Sequence, residues 1–331
     1  MSKNLSANSR VSIVLLNWNN WDLTVECLES LYQSEYPNYD IIIVDNGSND
    51  DSIEKIKEYC EGSLNVESKF FSYNSNNKPI SILEYTKKQA ENGGSSTKEK
   101  EFSKIPSNRK LTLILLKKNY GFTGGNNIAS VYAIKALKPK YIFLLNNDTV
   151  LDSKLLSELI EGIKNDDSIG IAGPEIRNYY NTNLIQFGER YEGLKNPTEI
   201  DWVSGCAFMI NVNLIKSIGL LDPIFFIYFE ETDYILRAMK AGFKIVYVPT
   251  RNKIYHKYSA TLKRIKGFIL YYMTRNHIIF KKRHIAKKEF KPFLFNFFKD
   301  ELKLHLNRDQ IYYFLKGMIT GIILSLKIKR L

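Results

Sequence analysis

Two short apolar runs near the N-terminus, VSIVLL at residues 11–16 and IIIV at residues 41–44, are each followed at once by polar residues. A continuous apolar run of this length, bounded by turn residues, is typical of a parallel strand buried on both faces. Trp21–Gln33, between the runs, carries apolar side chains at helical spacing. The whole stretch therefore predicts a β-α-β unit with the two strands side by side.

The same alternation continues further along the chain. Leu111–Leu116 and Tyr141–Leu145 are two more apolar runs, and the helix-like segment Asn127–Leu137 lies between them. Strands alternating with helices predict an α/β fold with a mostly parallel central sheet flanked by helices. Residues 62–109 interrupt the pattern, because they are rich in Ser, Asn and Lys. We expect a solvated polar insertion there, partly disordered or with one small helix near Ile80–Glu91.

Composition narrows the class of protein. The chain has 331 residues, of which 44% are hydrophobic and 25% charged, and these are the proportions of a soluble globular protein. They exclude collagen-like, wholly disordered and multi-pass membrane proteins. Its three cysteines are scattered without a CxxC pair. This indicates neither a disulfide scaffold nor a structural zinc site, and it predicts a reducing compartment.

The positive charge lies at the C-terminal end of the chain. Of 47 Lys and Arg residues, 20 fall at 251–331, where only 4 of the 35 Asp and Glu residues lie. Residues 261–331 combine this charge with clustered aromatic residues, a pattern typical of amphipathic helices at an anionic membrane surface. Helices packed on the rest of the chain, or on a second subunit as a homodimer, are the alternative. The slightly acidic body argues against a nucleic-acid partner.

Polar residues follow each of the four predicted strands. In an open parallel sheet ligands bind beyond the carboxyl ends of the strands, so these loops predict one polar edge. Taken singly, each loop is also explained as an ordinary turn, because Asn, Asp and Gly dominate turns. The Gly-rich third loop matches neither GxGxxG nor the P-loop pattern, which argues against a dehydrogenase and a P-loop nucleotidase. The loops are Asn17–Asn19, Asp45–Ser48, Asn119–Asn127 and Asn146–Asp148.

Three positions could carry chemistry. Asp148 ends a buried strand, where a carboxylate suits a divalent cation that also binds a substrate phosphate; the alternative is a cap for the next helix. The segment Glu230–Asp233 contains three carboxylates. They are explained equally well as the first turn of a helix or as the source of a general base. His256 follows a predicted strand, although a lone histidine is more often a surface or packed residue.

Taken in order, these segments resemble the family-2 inverting glycosyltransferases of the GT-A fold, and in particular their rhamnosyltransferase-like branch. The resemblance covers most of residues 11–261, with 62–109 as an insertion. It is carried by VSIVLLNWNNWDLTVECLESL (11–31), IIIVDNGSNDDS (41–52), KKNYGFTGGNN (117–127), YIFLLNNDTV (141–150), DWVSGCAFMI (201–210), FFIYFEETDYILRA (225–238) and IYHKYSAT (254–261).

The resemblance implies roles for particular residues. Asp148 would bind the metal together with His256, although Asn146 stands where the family's motif has its first carboxylate. Glu231 would be the catalytic base, with Glu230 beside it. The acceptor and sugar side would include Trp202, Gly205 and Asp233. The residues implied for the nucleotide sugar are Asn17, Trp18, Asn19, Asp45, Gly47, Asn119, Gly121, Asn127 and Asn147.

The resemblance also implies an organisation and a function. We expect a Rossmann-like GT-A catalytic domain at 1–260 and a basic, aromatic helical extension at 261–331. The implied reaction moves a sugar from a nucleotide-diphosphate sugar, such as dTDP-rhamnose, to a hydroxyl of a glycan or lipid-linked acceptor, assisted by Mg²⁺ or Mn²⁺. Such an enzyme would build cell-envelope polysaccharide from the cytoplasmic side, peripheral to the inner face of the membrane. The alternative is a nucleotide-sugar-binding protein without transfer activity.

Overall fold

The structure, a computed structural model, describes residues 9–258, 267–302, 307–328 and 330. Contacts divide the chain into two compact units. The first runs up to Leu221 and resumes over Tyr234–Tyr258, and the second contains Asp222–Asp233 and the described residues after Tyr258. Asp222–Asp233 thus groups with the C-terminal helices. The domain boundary predicted between residues 260 and 261 lies outside the described residues.

The elements follow the predicted order of alternating strands and helices. The strands are β1 (Val11–Asn17), β2 (Tyr39–Asp45), β3 (Ser81–Thr86), β4 (Lys110–Leu115), β5 (Tyr141–Asn146), β6 (Thr149–Leu151), β7 (Ile169–Pro174), β8 (Ile176–Asn178), β9 (Ile185–Phe187), β10 (Thr198–Glu199), β11 (Ala207–Asn211), β12 (Lys244–Val248) and β13 (Ile254–His256). The helices are α1 (Trp21–Tyr32), α2 (Ser52–Glu61), α3 (Lys87–Glu91), α4 (Ser96–Phe102), α5 (Gly121–Tyr132), α6 (Leu155–Ile163), α7 (Val212–Ile218), α8 (Glu230–Lys240), α9 (Phe268–His284), α10 (Lys287–Leu302) and α11 (Arg308–Ser325).

The first unit is built on a nine-stranded sheet in the order β10-β12-β7-β11-β5-β1-β2-β4-β3. The strands β5, β1, β2, β4 and β3 are all parallel, and β11 runs antiparallel between β5 and β7. The apolar run at residues 11–16 forms β1, which lies between β5 and β2 in the sheet. Its residues Ile13, Val14 and Leu15 are fully buried. Helix α5 packs closely on β1 at Gly125, where an added Cβ would lie 2.3 Å from Leu16 Cδ1. The predicted α/β fold is confirmed.

Residues 62–109 differ from the sequence prediction. The sequence predicts partial disorder or one small helix near Ile80–Glu91, whereas the structure has the edge strand β3 there, followed by the five-residue helix α3. The reason is a period of two, in which Leu83 and Tyr85 are buried while Glu84 is exposed. Lys78 anchors the segment to α1, because its Nζ atom lies 3.3 Å from Glu29 Oε2 in a buried ion pair.

A second sheet of four strands, in the order β6-β13-β8-β9, brings the ends of distant segments together. In the antiparallel pairing of β13 with β6, His256 lies opposite Thr149. Asp148 immediately precedes Thr149, and its carbonyl oxygen accepts a hydrogen bond from the Lys257 amide at 3.0 Å. The register of this small sheet therefore sets Asp148 beside His256.

The second unit contains α9, α10 and α11, so the predicted helical character of the C-terminal region is confirmed in its described part. A small core of Ile278, Phe290, Phe314 and Met318 holds the helices together. Helix α11 approaches α9 closely, since an added Cβ at Gly317 would lie 2.8 Å from the Tyr271 carbonyl oxygen. Among the described helices, none is both long enough and apolar enough to cross a membrane.

Candidate active site

The loops after β1 and β2 are tied together by a buried hydrogen-bond network. Asn17 lies opposite Asp45 in the parallel register, and its Nδ2 atom donates to Asp45 Oδ2 at 2.9 Å. Asp45 Oδ1 accepts from the Ser48 amide at 3.0 Å, and Asn17 Oδ1 accepts from Thr24 Oγ1 at 2.7 Å. Asn17 and Asp45 thus shape the two loops from within. The residues of these loops that remain partly exposed are Trp18, Asn19, Gly47 and Ser48.

Asn46 joins the Gly-rich loop to the same network. Its Oδ1 atom accepts from the Tyr120 amide at 2.9 Å, and its Nδ2 atom donates to Asn119 Oδ1 at 3.0 Å. Asn119 Oδ1 also accepts from the Gly121 amide at 2.7 Å. Gly121 is the first residue of helix α5. Sequence reasoning missed Asn46, although its position between Asp45 and Gly47 was a signal that could have found it.

The loop after β5 completes this polar edge. Asn147 Nδ2 donates to Thr24 Oγ1 at 2.8 Å, so Thr24, which sequence reasoning also missed, bridges the first and fourth loops. Asn127 behaves differently, because its Nδ2 atom donates to the Leu221 carbonyl oxygen at 2.8 Å. The structure therefore brings together eight of the nine residues implied for the nucleotide sugar, while the Asn127 amide is directed to the chain near Leu221.

Asp148 and His256 form the candidate metal pair. His256 Nε2 lies 3.2 Å from Asp148 Oδ1, and both side chains are buried. Nδ1 of the same ring lies 2.9 Å from Gln186 Oε1, an acceptor that fixes the ring orientation. This arrangement is common for metal-binding histidines. Burial lowers the pKa of His256, but the neighbouring Cys206 sulfur and the Asp148 carboxylate outweigh burial and raise that pKa to about 11.

The donor set of this pair fits a divalent cation. A carboxylate oxygen and an imidazole nitrogen are ligands that Mn²⁺ accepts, and either a cation or a proton on Nε2 can balance the charge of Asp148. In the described part of the chain, no group of three or more His, Cys, Asp or Glu side chains is arranged to hold a metal. Any further ligands would be water or substrate oxygens.

Two adjacent carboxyl groups open helix α8. The Oε2 atoms of Glu230 and Glu231 are buried and accept no hydrogen bond from the described residues. Burial, together with the charge of Glu231, raises the pKa of Glu230 well above its ordinary value. Burial also raises the pKa of Glu231. Buried carboxyl groups with perturbed pKa values and unpaired oxygens are candidates for acid–base chemistry.

The three residues expected on the acceptor side lie in different settings. Trp202 is 37% exposed, and its ring meets the edge of Phe187 at a centroid distance of 5.5 Å. Gly205 lies in the turn before β11. Asp233 is fully buried, and its Oδ1 atom accepts from Arg283 Nη1 at 2.8 Å. The interior ion pair of Asp233 argues against a direct contact with sugar, because its carboxylate already faces a buried cation.

A large, mostly parallel sheet flanked by helices, with a C-terminal helical region, is the architecture of the GT-A class of glycosyltransferase folds. Solved structures with this fold include the mannosyltransferase PcManGT from Pyrobaculum calidifontis in complex with GDP-Man and Mn²⁺. At 14% identity and a TM-score of 0.54, the match covers 98% of this chain and 77% of that one. GalNAc-T7, solved with UDP, GalNAc and Mn²⁺, matches at 16% identity and a TM-score of 0.57, over 86% and 49% of the two chains.

Family models identify the chain more closely. The model described as "Glycosyl transferase family 2" matches residues 12–83, and "Glycosyltransferase like family 2" matches residues 98–266. The second match alone spans more than half of the chain. The chain belongs to glycosyltransferase family 2.

Its relatives include several sugar transferases at low identity. "Low-salt glycan biosynthesis hexosyltransferase Agl10" of Haloferax volcanii is 26% identical, over 38% of this chain and 46% of the relative. An N-acetylglucosaminyl-diphospho-decaprenol L-rhamnosyltransferase of Mycobacterium tuberculosis is 29% identical, over 33% and 34%. Rhamnosyltransferase WbbL of Escherichia coli is 24% identical, over 41% and 61%. The aligned segments thus span less than two thirds of each relative.

The first prediction concerns the backbone at Gly47. This residue has a φ of +76°, and an added Cβ would lie 2.6 Å from the backbone of Lys118. Gly242 has a similar φ of +84° but nothing within 4 Å of an added Cβ. We expect Gly242→Ala to lower the free energy of unfolding by about 1 kcal/mol. Gly47→Ala should cost at least about 1 kcal/mol more, because the Lys118 backbone must move. Urea unfolding of both variants measures this, and equal losses would contradict it.

The second prediction concerns pH. Because the folded-state pKa of Glu230 is raised, folding takes up a proton above the ordinary titration range of a glutamate. The contribution of Glu230 to stability therefore falls as pH rises through that window. We expect Glu230→Gln to raise the melting temperature by about 2–4 °C at pH 8, with a smaller gain at pH 5. Thermal unfolding at both pH values checks this. The control is Glu67→Gln, because Glu67 is exposed to solvent. A difference from wild type that does not change with pH would refute it.

Proposed function

We propose that this chain moves a sugar from a nucleotide-diphosphate sugar to a hydroxyl group of a glycan or lipid-linked acceptor, with inversion at the anomeric carbon. The observation that carries the proposal is the acidic pair Glu230 and Glu231, whose buried, unpaired Oε2 atoms and raised pKa values suit a general base. Membership of glycosyltransferase family 2 supports sugar transfer. The relatives that transfer rhamnose support dTDP-rhamnose as the first donor to test.

In the proposed reaction Glu231 takes the proton of the acceptor hydroxyl. The acceptor oxygen forms its bond to the anomeric carbon while the bond from that carbon to the diphosphate oxygen breaks, and the electron pair leaves with the nucleotide diphosphate. A single displacement from the opposite face inverts the configuration. The charge of Glu231 contributes to raising the pKa of Glu230, so the two neighbouring carboxyl groups titrate as a pair.

The polar edge of the large sheet would bind the donor. We propose that the loops at Asn17–Asn19 and Asp45–Gly47 hold the base and ribose, and that Asn119, Gly121 and Asn147 line the pocket. Asp148 and His256 would hold a divalent cation, Mg²⁺ or Mn²⁺, which neutralises the charge of the leaving diphosphate as a Lewis acid. The Mn²⁺ in the two GT-A complexes supports this assignment. Trp202 and Gly205 would lie on the acceptor side.

A second candidate is a nucleotide-sugar-binding protein without transfer activity. The observation that favours it is Asn146, which replaces the first carboxylate of the metal motif and leaves Asp148 and His256 as a two-residue donor set. Metal-assisted departure of the diphosphate needs a firmly held cation, whereas binding of the nucleotide alone does not.

The C-terminal helices would contact an anionic membrane surface. On α11 the side chains Phe314 and Met318 are buried, yet Ile319 and Ile323 on other faces are 60% and 52% exposed. Leu326, which follows α11, is 77% exposed. Apolar side chains exposed on an aromatic helix, with Lys327 and Arg330 just after its end, are typical of helices that lie in the headgroup layer. Such placement would bring the enzyme to a lipid-linked acceptor at the inner face of the cytoplasmic membrane.

The third prediction tests the assigned roles. Glu231→Gln should lower kcat by about 10³-fold, because the acceptor hydroxyl loses its base, while nucleotide-diphosphate binding is retained. Asp148→Ala should lose both transfer and the Mn²⁺-dependent part of nucleotide binding. Transfer from a panel of nucleotide sugars and thermal shifts with each nucleotide diphosphate measure the two effects. The control is Glu67→Gln.

Two outcomes would decide against these assignments. Full transfer activity in Glu231→Gln rules out its role as the base. Nucleotide binding by wild type with no transfer from any donor favours the second candidate function.

The fourth prediction tests the membrane surface. We expect the wild type to sediment with phosphatidylserine-containing vesicles at low salt and to be released at high salt. The double variant Ile323→Glu with Leu326→Glu should lose this binding, because each change puts a negative charge on the exposed apolar face. Leu184→Glu is the matched control, since Leu184 is 56% exposed in the first unit. If the wild type does not sediment with vesicles but forms a dimer, and the double variant is a monomer, the exposed apolar face of α11 contacts a second subunit instead.

A further inference from the structure

The backbone that leads into the acidic pair is strained. Phe226, Tyr228 and Phe229 have φ values of +61°, +68° and +70°, in the left-handed region that non-glycine residues rarely adopt. The left-handed conformation brings the Cβ of such a residue too close to the following carbonyl oxygen and is therefore unfavourable. A segment of bulky aromatic residues holds this conformation only where its surroundings impose it, and strain of this kind concentrates at functional sites.

Helix α9 provides the groups that impose the conformation. The Nδ2 atom of Asn276, a fully buried residue, lies 2.7 Å from the carbonyl oxygens of Phe225 and Ile227 and 2.8 Å from that of Tyr228. One amide group with two hydrogens thus serves three carbonyl oxygens of the strained segment. Arg275 adds donations from Nη2 to the carbonyl oxygens of Ile224 and Phe225.

Arg275 also orients the Asn276 amide. Its Nε atom donates to Asn276 Oδ1 at 2.8 Å, so the oxygen of that amide faces the guanidinium and its Nδ2 atom faces the carbonyl groups. An amide flipped the other way would set its oxygen against several carbonyl oxygens. The pair therefore acts as one unit with a defined direction.

The C-terminal end of α9 contacts both ends of the segment, at Asp222 and Asp233. Arg283 Nη2 donates to Asp222 Oδ2 at 2.5 Å, and Arg283 Nη1 donates to Asp233 Oδ1 at 2.8 Å. His284 Nε2 lies 2.8 Å from the same oxygen of Asp233. One guanidinium thus bridges the two carboxylates that flank the segment, and neither end can move independently of α9.

We propose that Asn276 is a positioning residue for sugar transfer, whose amide holds residues 225–229 in the conformation that presents Glu230 and Glu231 to the substrate. The inference rests on the proposed function. Asn276 itself touches no reacting atom and acts through the backbone that it binds. A residue that only stabilised the fold would lower the melting temperature without changing the turnover of the folded protein, and this difference makes the proposal testable.

The fifth prediction compares Asn276→Leu, which keeps the volume of the side chain but removes its donor, with wild type. We expect kcat to fall by about 100-fold, because the carboxyl groups are misplaced by a fraction of a bond length or more. The KM for the donor should stay within about twofold. Hydrogen exchange of the amides at 224–227 should become about tenfold faster, since the segment is released. All rates refer to folded protein, measured on the full chain.

Two further variants keep the test decisive. Arg275→Lys, a milder change that keeps the positive charge, should lower kcat by a smaller factor in the same direction. Ile278→Val is the matched control, because Ile278 lies on α9 in the core of the second unit and touches none of these hydrogen bonds. It should lower the melting temperature with kcat unchanged. Unchanged kcat in Asn276→Leu, or an equal loss of kcat in Ile278→Val, would overturn the proposal.

The outcomes also separate this inference from the proposed function. If wild type transfers no sugar from any donor, the proposed function fails and the positioning role fails with it, while the exchange rates still show whether Asn276 holds the segment. If Glu231→Gln is fully active and Asn276→Leu is not, the base assignment fails but the positioning role stands, with Glu230 as the group positioned.

Discussion

The arrangement of the first unit depends on one constraint, the parallel register of β1 with β2 and β5. In that register Asn17 lies opposite Asp45, and Leu16 lies opposite Asn146. The strands are buried on both faces and mostly apolar, and the polar residues of the candidate site lie at their carboxyl ends or in the loops that follow. Loops that are far apart in sequence therefore emerge at one edge. The hydrogen bonds among their side chains follow from this alignment, because the register brings the ends of neighbouring strands, and so the loops after them, side by side.

The apolar runs predicted the central strands because a doubly buried strand leaves a strong signal. The strand β3 was missed because it is an edge strand with only Leu83 and Tyr85 buried among polar residues. The metal pair came from the resemblance, since the adjacency of Asp148 and His256 depends on a strand register that spacing does not reveal. Thr24 looks like an ordinary helix residue, and only its partners show that it joins the loops. Asn46 stands between two predicted site residues, but its partners alone show which loops it joins.

Asn276 could not be found from sequence for a different reason. Its partners are carbonyl oxygens of residues 225–228, and backbone groups leave no trace in side-chain identity. Within a basic, aromatic segment, an asparagine beside an arginine resembles a solvated pair. The sequence instead suggested that this region serves a membrane or a second subunit. The grouping of Asp222–Asp233 with the C-terminal helices adds a role in holding the acidic segment.

The strained segment and the polar face of α9 explain each other energetically. Buried Arg275 and Asn276 would cost several kcal/mol of desolvation if their donors had no acceptors. Carbonyl groups in a regular helix or sheet are already paired, so only irregular backbone can offer so many acceptors at one place. The left-handed residues Phe226 and Tyr228 create that irregular backbone, and the hydrogen bonds that they make possible offset their strain. Removing the donors of α9 would therefore leave the strain of Phe226 and Tyr228 without this compensation.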